Sequence, residues 1–318
     1  MKKAFFLCGA LLAAFLIPLS ALQAAELPEK LGITYVKAPL NIPSILEKKL
    51  ELFEKKFGPQ GIEVTYPELT AGPQQTAGMA SGAVSFANCI GGTSVLLAAA
   101  NGLDIKIIGI YGRAPRAFVI LVKDPALKNV RDLKGKKVAG PKGTILHQLL
   151  VSALEREGLA SNNVDFLGMG LMEGITALLR GSVNACLAAG PGVLKAQKEG
   201  ARVLVNGTGL VDGLTLMAAR KSFIEQYPHI VKDFLAVDAE ARDFMTAHPE
   251  EALAYTAEAT GLTPEEVAQM APLYDFSSSI ASSDVKDLEK TQEFLYENGM
   301  LPQKVSIKKL FSPFSPNP

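Results

Sequence analysis

The sequence predicts an α/β protein made of two lobes, each built on a parallel sheet with helices on both faces. Two observations support this: short apolar runs alternate with helical patterns, and the alternation occurs a second time after Arg116. The length of 318 residues suits two domains, because ~100–200 residues are usual for one. An apolar content of 48% with 20% charged residues is typical of a chain that buries large cores.

The first half of the chain contains a β-α-β-α-β-α-β order. Apolar runs predict strands at 31–36, 62–66, 82–87 and 105–111. Helical spacing predicts helices over 44–57, from Gly72, and from Gly91.

The second half starts a similar series after Arg116. Strands are predicted at 118–122, 136–140, 164–167, 183–188, 202–205 and 215–219. Helices are predicted at 145–157, 172–180 and 192–199, and from residue 222 onward the pattern is mainly helical, with starts at Thr263 and Ser283. We therefore expect a first lobe from 26–114, a second lobe from 115–214, and a return to the first lobe over 215–318. The strands at 118–122 and 215–219 are the expected crossing points.

The N-terminal residues have the layout of a cleavable secretory signal peptide, predicted over residues 1–25. Lys2 and Lys3 precede an apolar run from 4 to 17, and small residues follow up to Ala24 and Ala25, where cleavage is expected. The alternative is an uncleaved membrane anchor. No later stretch is apolar over the ~20 residues that span a bilayer, so we expect a periplasmic protein.

The charge balance excludes one large class of function. Lys plus Arg and Asp plus Glu both number 32, whereas nucleic-acid binding depends on clustered positive charge. Removing Lys2 and Lys3 with the signal peptide leaves 30 basic groups against 32 acidic ones, a net charge of −2.

Three cysteines are too few for a disulfide scaffold. Cys89 and Cys186 remain after cleavage and could pair with each other. Each lies among small apolar residues, which favours two buried free thiols. No Cys or His pair has the spacing of metal ligands, so no metal or other cofactor is expected.

Four segments resemble a known family: 109–115 (GIYGRAP), 132–144 (DLKGKKVAGPKGT), 188–191 (AAGP) and 274–276 (YDF). Together they resemble the sulfonate/nitrate/taurine group of periplasmic substrate-binding proteins of ABC transporters, which is NMT1/THI5-like. The resemblance covers about residues 32–310. It implies a type II periplasmic-binding-protein fold, with two Rossmann-like lobes, a hinge and a ligand cleft. It also implies a binder that delivers a small molecule to a membrane permease and its ATPase.

Ligands of open α/β sheets lie beyond the carboxyl ends of strands, facing helix N-termini that suit an anion. Segments 72–75, 91–94 and 140–144 follow strands in this way. The candidates they supply are Gln75, Gly92, Thr93, Ser94, Gly143 and Thr144. Ordinary capping turns are the alternative, although the resemblance favours ligand contact for Thr93, Ser94, Gly143 and Thr144.

Arg113 follows the strand at 105–111, where its guanidinium could bind a sulfonate or carboxylate through two hydrogen bonds. The alternative is a salt bridge that braces the hinge. Tyr35 and Pro39 lie in or beside the loop after the first strand and are candidates for the pocket edge.

Three further candidates belong to the second lobe: His147, Glu173 and Gly190. A lone histidine on a helix is more often a packing or surface residue than a ligand contact. Glu173 would repel an anion, so an inward-pointing Glu173 implies a ligand with an amino group, as taurine has.

The function expected is therefore solute binding for an ABC transporter, with a small organic anion held between the lobes by a monomer. The alternatives are a binder of a thiamine-precursor pyrimidine or another small solute, and a ligand-sensing module. An enzyme is less expected. The pyrimidine-synthesising relatives use a cysteine cluster that this sequence lacks, and His147, His229 and His248 are widely separated.

Overall fold

The computed structural model describes residues 27–36 and 40–315. The predicted signal peptide and the candidate Pro39 lie outside the described residues. Within residues 27–36 and 40–315, no helix combines the length and the apolar character needed to cross a membrane.

Ten strands occur in the described residues and are numbered in chain order. They are β1 (Lys30–Gly32), β2 (Glu63–Thr65), β3 (Phe86–Gly91), β4 (Ile105–Arg113), β5 (Phe118–Val122), β6 (Lys137–Gly140), β7 (Asp165–Gly168), β8 (Ala185–Ala189), β9 (Arg202–Asn206) and β10 (Leu214–Arg220).

The same residues form thirteen α-helices. They are α1 (Ile42–Lys49), α2 (Leu52–Phe57), α3 (Gly72–Ser81), α4 (Gly92–Ala100), α5 (Ile145–Arg156), α6 (Leu171–Leu179), α7 (Pro191–Lys198), α8 (Lys221–Gln226), α9 (Pro228–Ala247), α10 (Pro249–Thr260), α11 (Pro264–Met270), α12 (Ser282–Glu297) and α13 (Ile307–Leu310).

The strands form two sheets of equivalent order. In the first, β1 pairs with β2 in parallel, Ile33 bridges to Phe86 of β3, and β10 lies between β3 and β4. The resulting order is β2-β1-β3-β10-β4. The second sheet has the order β7-β6-β8-β5-β9.

The expectation of parallel sheets is wrong for one strand in each. β10 runs antiparallel to β3 and β4, and β5 runs antiparallel to β8 and β9. Both strands enter from the other sheet, so no crossover helix within the sheet makes them parallel to their neighbours.

The chain passes between the sheets in two adjacent segments, 114–117 and 207–213. The Ala114 N–H donates to the Gly213 carbonyl at 3.2 Å, and the Gly207 N–H donates to the Pro115 carbonyl at 3.1 Å. Gly213 has φ +64°, and a Cβ there would collide with the Ala114 backbone. The lobe boundaries at 114 and 214 stay a prediction. Below, the first lobe means the sheet with β10 and its helices, and the second lobe means the sheet with β5 and its helices.

Aromatic stacking joins the C-terminal helices to the first sheet. The ring of Phe234, on α9, stacks on Phe86 at 4.1 Å and on Phe53 at 5.2 Å. All three side chains are fully buried. Helix α12 packs on α4 and buries Leu288 against the opposite face of the sheet.

Most predicted elements are confirmed to within a few residues, and two differ. The third strand is Phe86–Gly91 rather than 82–87, because Gly82, with φ +82°, ends α3. The predicted helix over 44–57 is divided into α1 and α2 at Glu51, which has φ +53°. At the predicted start of α11, the Thr263 hydroxyl accepts the Glu266 N–H.

Cys89 and Cys186 are buried and unpaired, as the sequence favours. They lie on β3 and β8, which belong to different sheets.

Candidate ligand-binding site

A cavity of about 410 Å³ lies between the two lobes. The first lobe lines it with Val36, Glu68, Thr70, Ala71, Gly72, Gln74, Gln75, Cys89, Gly91, Ser94 and Thr215. The second lobe lines it with Phe118, Pro141, Thr144, Ile145, Leu146, Gly170, Leu171, Met172, Glu173 and Ala189. Its size falls within the range of small-molecule sites.

Four helices begin at the cavity wall: α3 and α4 of the first lobe, and α5 and α6 of the second. Their N-cap residues, Ala71, Gly91, Thr144 and Gly170, all line the cavity. None of these four side chains makes a capping hydrogen bond. The first N–H groups of a helix have no partner within it and together carry about half a positive charge. The cavity wall therefore carries donors without any basic side chain.

Four of the predicted site residues line the cavity: Gln75, Ser94, Thr144 and Glu173. Gln75 is buried, with its carbonyl accepting the Thr34 hydroxyl at 3.2 Å and its amide donating to the Cys89 carbonyl at 3.4 Å. The Thr144 hydroxyl donates to the Pro141 carbonyl at 2.8 Å, which leaves the N-terminus of α5 without a side-chain cap.

Glu173 is exposed at the cavity rim and folds back over the start of its own helix. A Cβ added at Gly170 would collide with its carboxylate. The Glu173 carboxylate therefore occupies the N-terminus of α6, where a bound anion would otherwise lie. The start of α3, α4 and α5 has no such carboxylate at its N-cap.

Glu68 is the second carboxylate of the cavity, and the described lining residues include no Lys or Arg. An anion at this lining would therefore meet N–H and hydroxyl donors and no basic side chain of the lining residues.

Arg113 does not line the cavity. Its guanidinium donates to Asp284 at 2.7 and 2.6 Å, to the carbonyl and hydroxyl of Ser277 at 3.0 Å, and to the Ser279 carbonyl at 2.8 Å. Asp284 raises the pKa of Arg113. The structure thus places Arg113 in the kind of salt bridge that was its alternative role.

Two other candidates, Thr93 and Gly143, lie at the contact between the lobes. The Thr93 hydroxyl donates to Gln148 at 2.6 Å, and the Gly143 carbonyl accepts the Ser94 hydroxyl at 3.0 Å. The candidate Gly92 packs within the first lobe instead, where a Cβ would come within 2.9 Å of Leu288 on α12.

The remaining described candidates lie beside the cavity. Tyr35 is buried, packs edge-on against Tyr66 at 6.3 Å, and has the Lys48 ammonium 4.2 Å from its ring. His147 stacks on Phe166 at 4.6 Å. Gly190 is the N-cap of α7, with φ +67°, next to the lining residue Ala189.

Cys89 lines the cavity, and the sequence reasoning did not include it. Its Sγ donates to Asn41 Oδ1 at 3.2 Å, and burial raises the pKa of the thiol to about 12. A thiol this far from ionisation is a poor nucleophile, because the thiolate is the reactive form.

An apolar wall formed by Phe118, Leu171 and Met172 was also missed. Met172 is 53% exposed, so part of this wall is open to solvent. Leu171 and Met172 begin the helix after β7, so the rule that selected residues 72–75 and 91–94 would have found them.

The family model described as NMT1/THI5 like matches residues 49–252, more than half of the chain. Two relatives are named for aliphatic sulfonate binding. The one from Bacillus subtilis is 31% identical over 88% of this chain and 84% of its own, and the one from Escherichia coli is 28% identical over 91% and 90%. The chain is also similar to the solved structure of the alkanesulfonate-binding protein of Xanthomonas axonopodis pv. citri bound to MOPS. That similarity has a TM-score of 0.81 at 27% identity, covering 91% of this chain and 99% of the other.

Proposed function

The chain belongs to the NMT1/THI5-like family, and from that premise we propose that it binds a small organic sulfonate between its lobes for an ABC importer. The acid group is held at the N-termini of α3, α4 and α5. The observation that carries this proposal is the convergence of uncapped helix N-termini on one cavity. Such termini are effective sites for a fixed negative charge, because their N–H groups and dipoles point at the ligand.

The apolar wall supports an organic ligand rather than a bare inorganic anion. Phe118, Leu171 and Met172 offer surface that a carbon chain can cover, and nitrate has no such chain. The two relatives named above and the MOPS-bound protein agree with this class of ligand.

Location and partners follow from the same proposal. The N-terminal sequence has the layout of a signal peptide, and similar proteins are periplasmic by name. A periplasmic binder of this kind needs a permease and an ATPase to move its ligand across the membrane. We propose binding without chemistry, since Cys89 is held as a thiol in the cavity.

The first test is a thermal-shift screen of residues 26–318 against ethanesulfonate, taurine, nitrate and a hydroxymethylpyrimidine. Ethanesulfonate should raise Tm, because a ligand at one hundred times its Kd stabilises the native state by about 2.7 kcal/mol. A shift with the pyrimidine alone would favour the alternative ligand class. No shift with any anion contradicts the proposal.

The second test places a protein carboxylate at one proposed subsite. Ala71→Asp should retain or raise Tm, because Asp is a favoured N-cap, whereas it should weaken ethanesulfonate binding roughly tenfold or more. Ala160→Asp adds the same charge at an exposed N-cap position outside the cavity and should leave the affinity unchanged. Equal affinities for both variants would remove α3 from the site.

A third test asks whether Glu173 contacts an ammonium group of the ligand. If its carboxylate faces an ammonium group, taurine binds more tightly than ethanesulfonate, and Glu173→Gln removes that difference. Unchanged taurine affinity in Glu173→Gln excludes this role.

A further inference from the structure

Two hydrogen bonds join the lobes away from the cavity wall. Thr93, on α4 of the first lobe, donates its hydroxyl to Gln148 Oε1 at 2.6 Å. Gln148, on α5 of the second lobe, donates from Nε2 to the Thr291 hydroxyl on α12 at 3.2 Å. The amide of Gln148 thus accepts one hydrogen bond and donates another, both to elements that pack on the first lobe.

Neither partner of the shorter bond lines the cavity, and both are buried. Thr93 is 1% exposed and Gln148 is 6% exposed. The nearby bond from Ser94 to Gly143 differs, because Ser94 lines the cavity and its substitution would also alter the site. Gln148 can therefore be changed without touching the surface that faces a ligand.

We propose that Gln148 is an interlobe latch, a positioning residue that sets the affinity for ligand without contacting it. The bonds to Thr93 and Thr291 join the second lobe to elements that pack on the first. On this proposal they break when the lobes separate, so they favour the closed arrangement. When the lobes separate, water satisfies the same groups. Removing the Gln148 amide leaves the Thr93 hydroxyl buried and unpaired in the closed arrangement only, which shifts the population toward the open one.

The consequence for binding is a lower apparent affinity. If only a fraction of the protein is competent to bind, the apparent Kd rises by the inverse of that fraction. Losing one net hydrogen bond corresponds to a roughly two- to tenfold weaker affinity. The weaker affinity should appear mainly as faster dissociation of the ligand. The expected change in ligand affinity rests on the proposed function. The expected change in lobe separation does not.

The test measures lobe separation and ethanesulfonate binding separately, on residues 26–318. Small-angle X-ray scattering of the protein without added ligand should give a larger radius of gyration for Gln148→Ala than for wild type. Saturating ethanesulfonate should return both to the same value. Glu155→Gln, on the exposed part of the same helix, is the matched control and should scatter like wild type.

A second pair of variants keeps the test decisive if Gln148→Ala folds poorly. Thr93→Ser retains the hydroxyl and should behave like wild type, whereas Thr93→Val should behave like Gln148→Ala. Equal radii of gyration for wild type and the folded variants overturn the latch, as does a wild type that is already fully open. A larger radius without any ethanesulfonate binding supports the latch and rejects the ligand class instead.

Discussion

Glu47 is buried inside the first lobe beside an ion pair. Arg242 donates to both carboxylate oxygens of Asp238, at 2.7 and 2.9 Å, and the Asn88 amide donates to Glu47 Oε2 at 2.6 Å. Glu47 Oε1 has no hydrogen-bond partner in the described structure. Burial, followed by the charge of Asp238, raises the pKa of Glu47 well above its usual value. The folded state therefore favours the protonated form of Glu47 more than the unfolded state does.

The raised pKa of Glu47 predicts a pH dependence of stability. A carboxyl whose pKa is raised in the folded state contributes stability that is lost as the pH rises through the folded pKa. Glu47→Gln should therefore gain stability relative to wild type as the pH rises from 5 to 8, measured as the free energy of unfolding in urea. Glu258→Gln, at an exposed carboxylate paired with Lys49, is the control and should show no such trend. Parallel curves for wild type and Glu47→Gln contradict the prediction.

Burial favours the neutral form of His147 as well, but for a histidine this lowers the pKa. Its Nδ1 accepts the Gly143 N–H at 3.4 Å, and burial, with a smaller effect of Lys142, lowers its pKa to about 4. A histidine whose pKa is lowered on folding contributes stability that is present above about pH 6.5. That stability is lost as the pH falls toward about 4. Because the Gly143 carbonyl accepts from Ser94, protonation of His147 acts close to the cavity wall.

We expect the His147 resonances in an NMR titration to show a midpoint near pH 4, with His147→Asn identifying them. A midpoint near the ordinary value of 6.5 would show that the ring is hydrated and does not accept from Gly143.

At the scale of elements, the Arg113–Asp284 pair ties the end of β4 to the first turn of α12. Asp284 is 1% exposed and also accepts the Ala281 N–H at 2.7 Å. Removing one partner of such a pair leaves a buried charge unpaired. Loss of either side chain alone should therefore destabilise the junction between the sheet and the C-terminal helices.

Arg113→Ala tests this role against the ligand contact expected from sequence. A structural role predicts a loss of about 3 kcal/mol in the free energy of unfolding, with ethanesulfonate affinity changed by less than about threefold. Arg113→Lys should recover only part of the stability, because Lys lacks the planar fork that bonds both Asp284 oxygens. Lost affinity with unchanged stability would establish the ligand contact instead.

At the scale of the whole molecule, charge is nearly balanced. The chain without residues 1–25 carries 30 basic and 32 acidic groups, so its net charge does not attract anions from a distance. Attraction by helix N-termini falls off within the first turn.

The association rate for ethanesulfonate should therefore change less than about twofold between 20 and 200 mM salt. Stopped-flow fluorescence with a probe attached near the cleft rim measures this directly. A steep fall of the rate with salt would show long-range steering, and it would contradict purely local recognition.

Sequence reasoning found some of the helix starts that line the cavity and missed others. That these residues bind the ligand stays a prediction. The rule that ligands face helix starts found Gln75, Ser94 and Thr144, all of which line the cavity. It could not show that Thr93 bonds Gln148 while its neighbour Ser94 faces the cavity. Adjacent residues at a helix start point in different directions. Which of them faces the cavity depends on where the second lobe lies.

The order and type of the elements, the duplicated α/β pattern, the buried cysteines and the family resemblance followed from the sequence alone, because periodicity and motifs are local properties of the chain. Only the tertiary structure decided that β5 and β10 run antiparallel to their neighbours. It also decided that four helix N-termini share one cavity, and that Arg113 bonds Asp284, a residue 171 positions away. Such pairings arise from contacts between distant segments, and no local pattern of residues specifies which of them meet.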